Sequence, residues 1–93
     1  MTFLIILHYL FINLLGIHRL PNIIKYNEVE YFNICYKPYE KNVWVVSYAK
    51  FIDWDKTDNL VSRESKSQTT AFLKMLLFLW KWRRKLVFYI DYY

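Results

Sequence analysis

The stretch at residues 53–64, DWDKTDNLVSRE, gathers many of the chain's oxygen-bearing side chains. Asp53 and Asp55 follow the apolar pair Phe51-Ile52, and Thr57 comes two residues later. Carboxylates and hydroxyls so close together in sequence are the side chains that acid–base work or a hard cation would require. The same stretch spaces Asp53, Asp55, Thr57, Asn59 and Glu64 so that their oxygens could wrap a hard cation. A second run, Lys81-Trp82-Arg83-Arg84-Lys85, holds four of the thirteen Lys and Arg residues. Basic groups interleaved with tryptophan suit an anionic membrane surface, where each adds about 1 kcal/mol. Phosphates of nucleic acid are a weaker candidate partner for the same run. A helix C-terminus carrying cations that complement its dipole accounts for it without any ligand. His8, His18 and Cys35 show no metal-binding spacing, and a single glycine leaves no room for a phosphate-cradling loop.

Phe51-Ile52-Asp53-Trp54-Asp55-Lys56-Thr57 resembles the first motif of the haloacid-dehalogenase phosphatases. That resemblance implies Asp53 as nucleophile and Asp55 as general acid–base, with magnesium. The family needs a doubly wound sheet and further Lys and Asp motifs, which the 36 residues after Thr57 cannot supply. Residues 53–64 also resemble a calcium-binding EF-hand loop, with Asp53, Asp55, Thr57, Asn59 and Glu64 at the ligand positions. Two features depart from it: Asp58 replaces the glycine of the sharp turn, and the incoming segment VWVVSYAKFI favours strand over helix. The expectation is therefore a solvated polar loop, no catalysis and no cofactor, with a calcium- or magnesium-binding module as an alternative.

The elements that must carry these residues fit one small domain of 93 residues. Hydrophobic residues make up 56% and aromatics 22%, which excludes a disordered tail, and one cysteine excludes an internal disulfide. Ile, Lys, Tyr, Phe and Asn supply 40 of the residues, whereas Gly, Ala, Arg and Pro supply nine. Their codons point to an A/T-rich gene, and such a bias raises Tyr, Phe and Ile independently of function.

Residues 1–17, MTFLIILHYLFINLLGI, carry no Lys, Arg, Asp or Glu, and His8 and Asn13 form no polar stripe. An element apolar on every side belongs in a core or in lipid, and a small domain has little core to offer. A helix over residues 2–17 reaches about 24 Å, against roughly 30 Å of hydrocarbon; extension to Leu20 with Arg19 snorkelling closes the gap. The first reading is a membrane anchor or embedded hairpin over residues 1–20, with the body in the cytoplasm because His18, Arg19 and Lys25 follow it. A cleaved signal peptide, giving a secreted protein, is the second reading. A buried helix or strand is the third.

Pro21 ends this segment and opens a body over residues 22–93. Residues 29–37 and 43–52 read as a hairpin, with Phe32, Ile34 and Tyr36 on one face of the first strand. Trp44, Val46, Tyr48 and Ile52 share a face of the second. Residues 53–66 read as a loop, and Ser65 with Gln68 as a capping box for a helix over residues 66–83. On that helix Phe72, Met75, Leu76, Leu79 and Trp80 oppose Lys74, Lys81 and Lys85, while Arg83 falls on the apolar side. For a helix at a lipid surface, the candidate headgroup contacts are Lys74, Lys81, Trp82, Arg84 and Lys85, with Leu76, Leu79 and Trp80 entering the acyl boundary. Residues 86–90 read as a strand joining the hairpin. The fold class expected is α+β: an apolar anchor-like segment, a hairpin, one amphipathic helix and a C-terminal strand.

This layout, and FLIILHYLFINLLGIHRL above all, resembles the small accessory proteins of coronaviruses, avian ones especially. The resemblance implies a non-structural, non-enzymatic viral protein at host membranes, directed at host defence. Membrane lipids with an anionic surface, and a protein partner of unspecified identity, are the partners expected.

Overall fold

A computed structural model describes residues 2–53 and 56–89. Two helices and five strands follow in the order α1 (Thr2–Leu14), β1 (Ile23–Tyr26), β2 (Val29–Tyr36), β3 (Trp44–Asp53), β4 (Lys56–Ser65), α2 (Gln68–Lys81) and β5 (Val87–Tyr89). The strands form one antiparallel sheet ordered β4-β3-β2-β1-β5. The class is α+β, as the residue pattern predicts.

The hairpin β2–β3 forms because both runs are rich in β-branched and aromatic residues. Its register decides which residues reach the core. Phe32 pairs with Ala49, Ile34 with Ser47 and Tyr36 with Val45, so the Phe32 row lies on the sheet face away from the helices. The helix-facing row holds Tyr31, Val46 and Tyr48, joined by Ile24, Val61 and Phe88. Ile52 is exposed, parted from Tyr48 by irregular register beyond Phe51.

Three sequence expectations change here. Residues 56–65 are a strand, not a loop: β4 is an edge strand in which Val61 alone is buried, so a mostly polar sequence suffices. The helix cap is Ser67, whose hydroxyl accepts from the Thr70 N–H at 3.4 Å; Ser65 closes β4 opposite Trp44. The C-terminal strand reaches the hairpin only through β1, a four-residue strand too short to show a period. Ile90, placed in that strand from sequence, lies outside the described residues.

Asn27 and Glu28, at φ 51° and 65°, form the two-residue turn between β1 and β2. Both central residues of such a turn need positive φ, which costs a residue with a Cβ about 1 kcal/mol. Glu28 also pairs with Lys25 at 3.6 Å, but its side chain is almost fully solvated and the pair contributes little. Glu28→Gly is expected to stabilise the protein by about 0.5–1 kcal/mol, read as a rise in the urea midpoint. A fall would show that the ion pair outweighs backbone strain.

α2 crosses β3 and β4, and α1 lies beside α2. Ile6 and Tyr9 of α1, and Leu20 after it, belong to the same core cluster as Tyr48, Met75 and Leu79. α1 spans thirteen residues, and no described helix is long and apolar enough to cross a membrane. Its end is fixed by Asn13, a fully buried side chain. The Asn13 amide donates to the Tyr9 carbonyl at 2.7 Å and the Arg19 carbonyl at 2.5 Å, while its Oδ1 accepts from the Arg19 N–H at 3.1 Å. Gly16, at φ +90°, makes the turn this clasp encloses.

Candidate functional site

α1 is half in the core and half out of it. Ile6, Tyr9 and Asn13 point inward; Leu4, Leu7, Phe11 and Leu14 occupy an arc of about 80° on the opposite side. Phe11 and Leu14 are each 63% exposed, and Leu15 and Ile17 continue the surface beyond the helix. An outward face made of leucine and phenylalanine leaves water on apolar surface that folding has not covered.

Between the helices runs a groove of about 540 Å³. α1 contributes Ile6, Leu7, Leu10 and Leu14; α2 contributes Leu73, Leu76, Leu77 and Trp80. The wall carries almost no polar surface. On the far side of Leu77 a smaller depression of about 180 Å³ is lined by Arg63, Lys74, Leu77, Phe78 and Lys81. One lysine there is anchored, Lys74 donating to the Glu64 carbonyl at 3.1 Å. Arg63 lies over the Phe78 ring at 5.5 Å and donates to the Ser62 carbonyl at 2.8 Å.

The basic run 81–85 is not one helical stripe. α2 ends at Lys81 with Trp82 as its C-cap, and residues 82–85 turn back toward β5. Arg83 therefore escapes the wheel position that would bury it. Its guanidinium sits 4.0 Å above the Trp80 ring and donates to the Trp80 carbonyl at 2.7 Å, closing the helix. Trp82 turns inward, stacked on Phe78 at 5.3 Å and edge-on to Tyr26 at 5.5 Å. Lys85 lies 5.0 Å over the Trp82 ring. Lys74, Lys81, Arg84 and Lys85 are exposed. The expected lipid-facing leucines need correction: Leu76 and Leu79 are in the core, and Leu77 is the exposed one at 55%. A wheel drawn on α2 alone could not find this, because α1 decides which flank stays open.

The acidic stretch does not converge. Asp53, at the end of β3, is the register partner of Lys56 at the start of β4, while Thr57, Asn59 and Glu64 are strung along β4. At about 3.3 Å per residue, Thr57 and Glu64 stand roughly 23 Å apart, so the EF-hand wrap is not formed. Asp55 lies outside the described residues. Among the described residues no three His, Cys, Asp or Glu side chains could hold a metal ion.

The remaining chemical candidates are engaged structurally. His18 Nε2 is 2.6 Å from the Thr69 hydroxyl, with its ring 5.5 Å from Phe72. Burial pushes the Cys35 thiol pKa up, against a smaller lowering from the Gln68 amide at 3.8 Å, which keeps it a protonated, weak nucleophile. No protein-family model, curated protein or solved structure matches this chain.

Proposed function

We propose that this protein is a non-enzymatic interaction protein that lies on an anionic membrane surface through α1 and the outer flank of α2. The observation that carries the reading is the exposed apolar set Leu4, Leu7, Phe11 and Leu14 on α1 with Leu77 across the groove on α2, and Lys74 and Lys81 beside Leu77. Apolar side chains that enter the acyl boundary beside cations that meet headgroups are the physical requirement for a helix lying in the interface. Such a seat needs no spanning helix, so thirteen residues suffice where a crossing would need about 20. Arg84 and Lys85, exposed in the turn after α2, supply two further cations. Anionic cytoplasmic leaflets are the matching surface. The resemblance to coronavirus accessory proteins rests on residues 3–20, which supply most of this layer, and it extends the proposal to a viral protein at host membranes.

Flotation with vesicles tests it. Binding is expected to rise with anionic lipid and fall as salt screens the charges. Replacing Lys81, Arg84 and Lys85 by Gln is expected to weaken it by about 2–3 kcal/mol at low salt. Phe11→Gln with Leu14→Gln should abolish it while leaving the urea midpoint unchanged, because neither side chain is in the core. Vesicle binding that survives this pair would overturn the reading.

A further inference from the structure

Leu77 is a ridge between two depressions of opposite character, one almost wholly apolar and one edged by three cations. At about 540 Å³, the apolar groove is in the range of pockets that enclose small ligands. Its wall offers dispersion and dehydration and nothing that could orient a polar molecule, so what it retains is a hydrocarbon chain. The polar element stands one side chain away. Lys74 and Lys81, a helical repeat of seven apart, share one flank of α2, about a turn before and a turn after Leu77, and Arg63 approaches from β4. None of the three is in an ion pair among the described residues. Lys74 spends one of its three donors on the Glu64 carbonyl and Arg63 one of five on the Ser62 carbonyl, which leaves both able to bind an anion.

We infer that the α1–α2 groove is a binding site for a single-chain anionic amphiphile. The acyl chain lies between Leu10 and Trp80, and the head crosses Leu77 to Lys74, Lys81 and Arg63. Charge complementarity selects the occupant: a neutral chain would fill the groove but leave the cations unused. The inference shares its helical layer with the membrane reading above, yet it requires a dissolved monomer to bind where no bilayer exists.

Trp80 lines the groove and reports occupancy. The full-length protein is titrated with a terminally brominated undecanoate, kept monomeric and free of vesicles, while tryptophan fluorescence is followed. Saturable quenching is expected, and Trp80→Phe should remove it. Lys74→Gln together with Lys81→Gln should weaken the carboxylate by about ten- to thirtyfold and leave the corresponding brominated alcohol unchanged. Urea midpoints of all variants establish that each is folded. Quenching that is absent or does not saturate overturns the site, as does equal affinity for acid and alcohol. Loss of quenching with vesicle flotation intact removes this site and leaves the membrane reading; quenching without flotation does the reverse.

Discussion

Removal of residues 1–21 is expected to abolish the cooperative unfolding transition of the chain. Ile6, Tyr9 and Leu20 are buried in the core that also holds Tyr48, Met75 and Leu79. Each such side chain contributes about 1.5–3 kcal/mol on burial, so their loss costs about 5–9 kcal/mol. The stability of a whole small domain is about 5–15 kcal/mol. Deletion also removes the Pro21 carbonyl that accepts from the Tyr48 hydroxyl, and strips one wall from Leu73, Leu76 and Trp80. The expected product keeps much of its far-ultraviolet circular dichroism and loses the near-ultraviolet aromatic signal, with broad urea curves. A sigmoidal transition near that of the full chain would show that α1 is an appendage and that residues 22–93 are self-sufficient.

Stability should also fall steeply in alkali, and one hydroxyl accounts for a defined share of it. Tyr48 is fully buried, and burial raises its pKa well above the usual 10, with a smaller contribution from neighbouring Tyr9. Unfolded chains release this proton near pH 10, whereas the folded protein holds it. The native state therefore binds more protons than the unfolded state above that pH, and stability drops by about 1.4 kcal/mol per pH unit until the folded pKa is reached. Below pH 10 the contribution is complete and flat. Tyr48→Phe removes this slope and at neutral pH costs about 1–3 kcal/mol, since the Pro21 carbonyl, which accepts at 2.7 Å, loses its donor. Urea titrations at pH 7, 9, 10.5 and 11.5 should show wild type and variant separated at neutral pH and converging above pH 10. Parallel curves would mean that the hydroxyl is not buried as described.

How much of this was legible in the residues follows from where the information lies. The β2–β3 hairpin and α2 announce themselves because each carries its own period: alternating aromatics in one, and Phe72, Met75, Leu76 and Leu79 on one arc in the other. β4 does not, because an edge strand needs few apolar residues and KTDNLVSRES contains only two. α1 was legible as apolar but not as packed. Its outward face of Leu4, Leu7, Phe11 and Leu14 is even more apolar than the inward one, which holds Ile6, Tyr9 and Asn13, so composition points the wrong way and only the position of α2 decides which is buried. For the same reason the groove and the outward Leu77 could not be read from a wheel. They are properties of a helix pair. The acidic spacing misled in the opposite direction, since cation ligands must bend back on themselves and an extended strand keeps them apart.

The sheet order has a consequence in time. The meander β1 to β4 grows from neighbouring hairpins, but α1 finds its wall only in α2, and β5 must return to β1 at the start of the sheet. Chain growth at roughly 5–20 residues per second separates the synthesis of α1 from that of α2 by several seconds. Throughout that interval Ile6 and Tyr9 are as uncovered as Phe11 and Leu14, and the nascent helix presents apolar side chains all round. On the proposed membrane reading, a bilayer near the ribosome would meet α1 before α2 covers its inner face, whereas a bilayer met after release would meet only the outer half. The order of encounter would then matter as much as affinity.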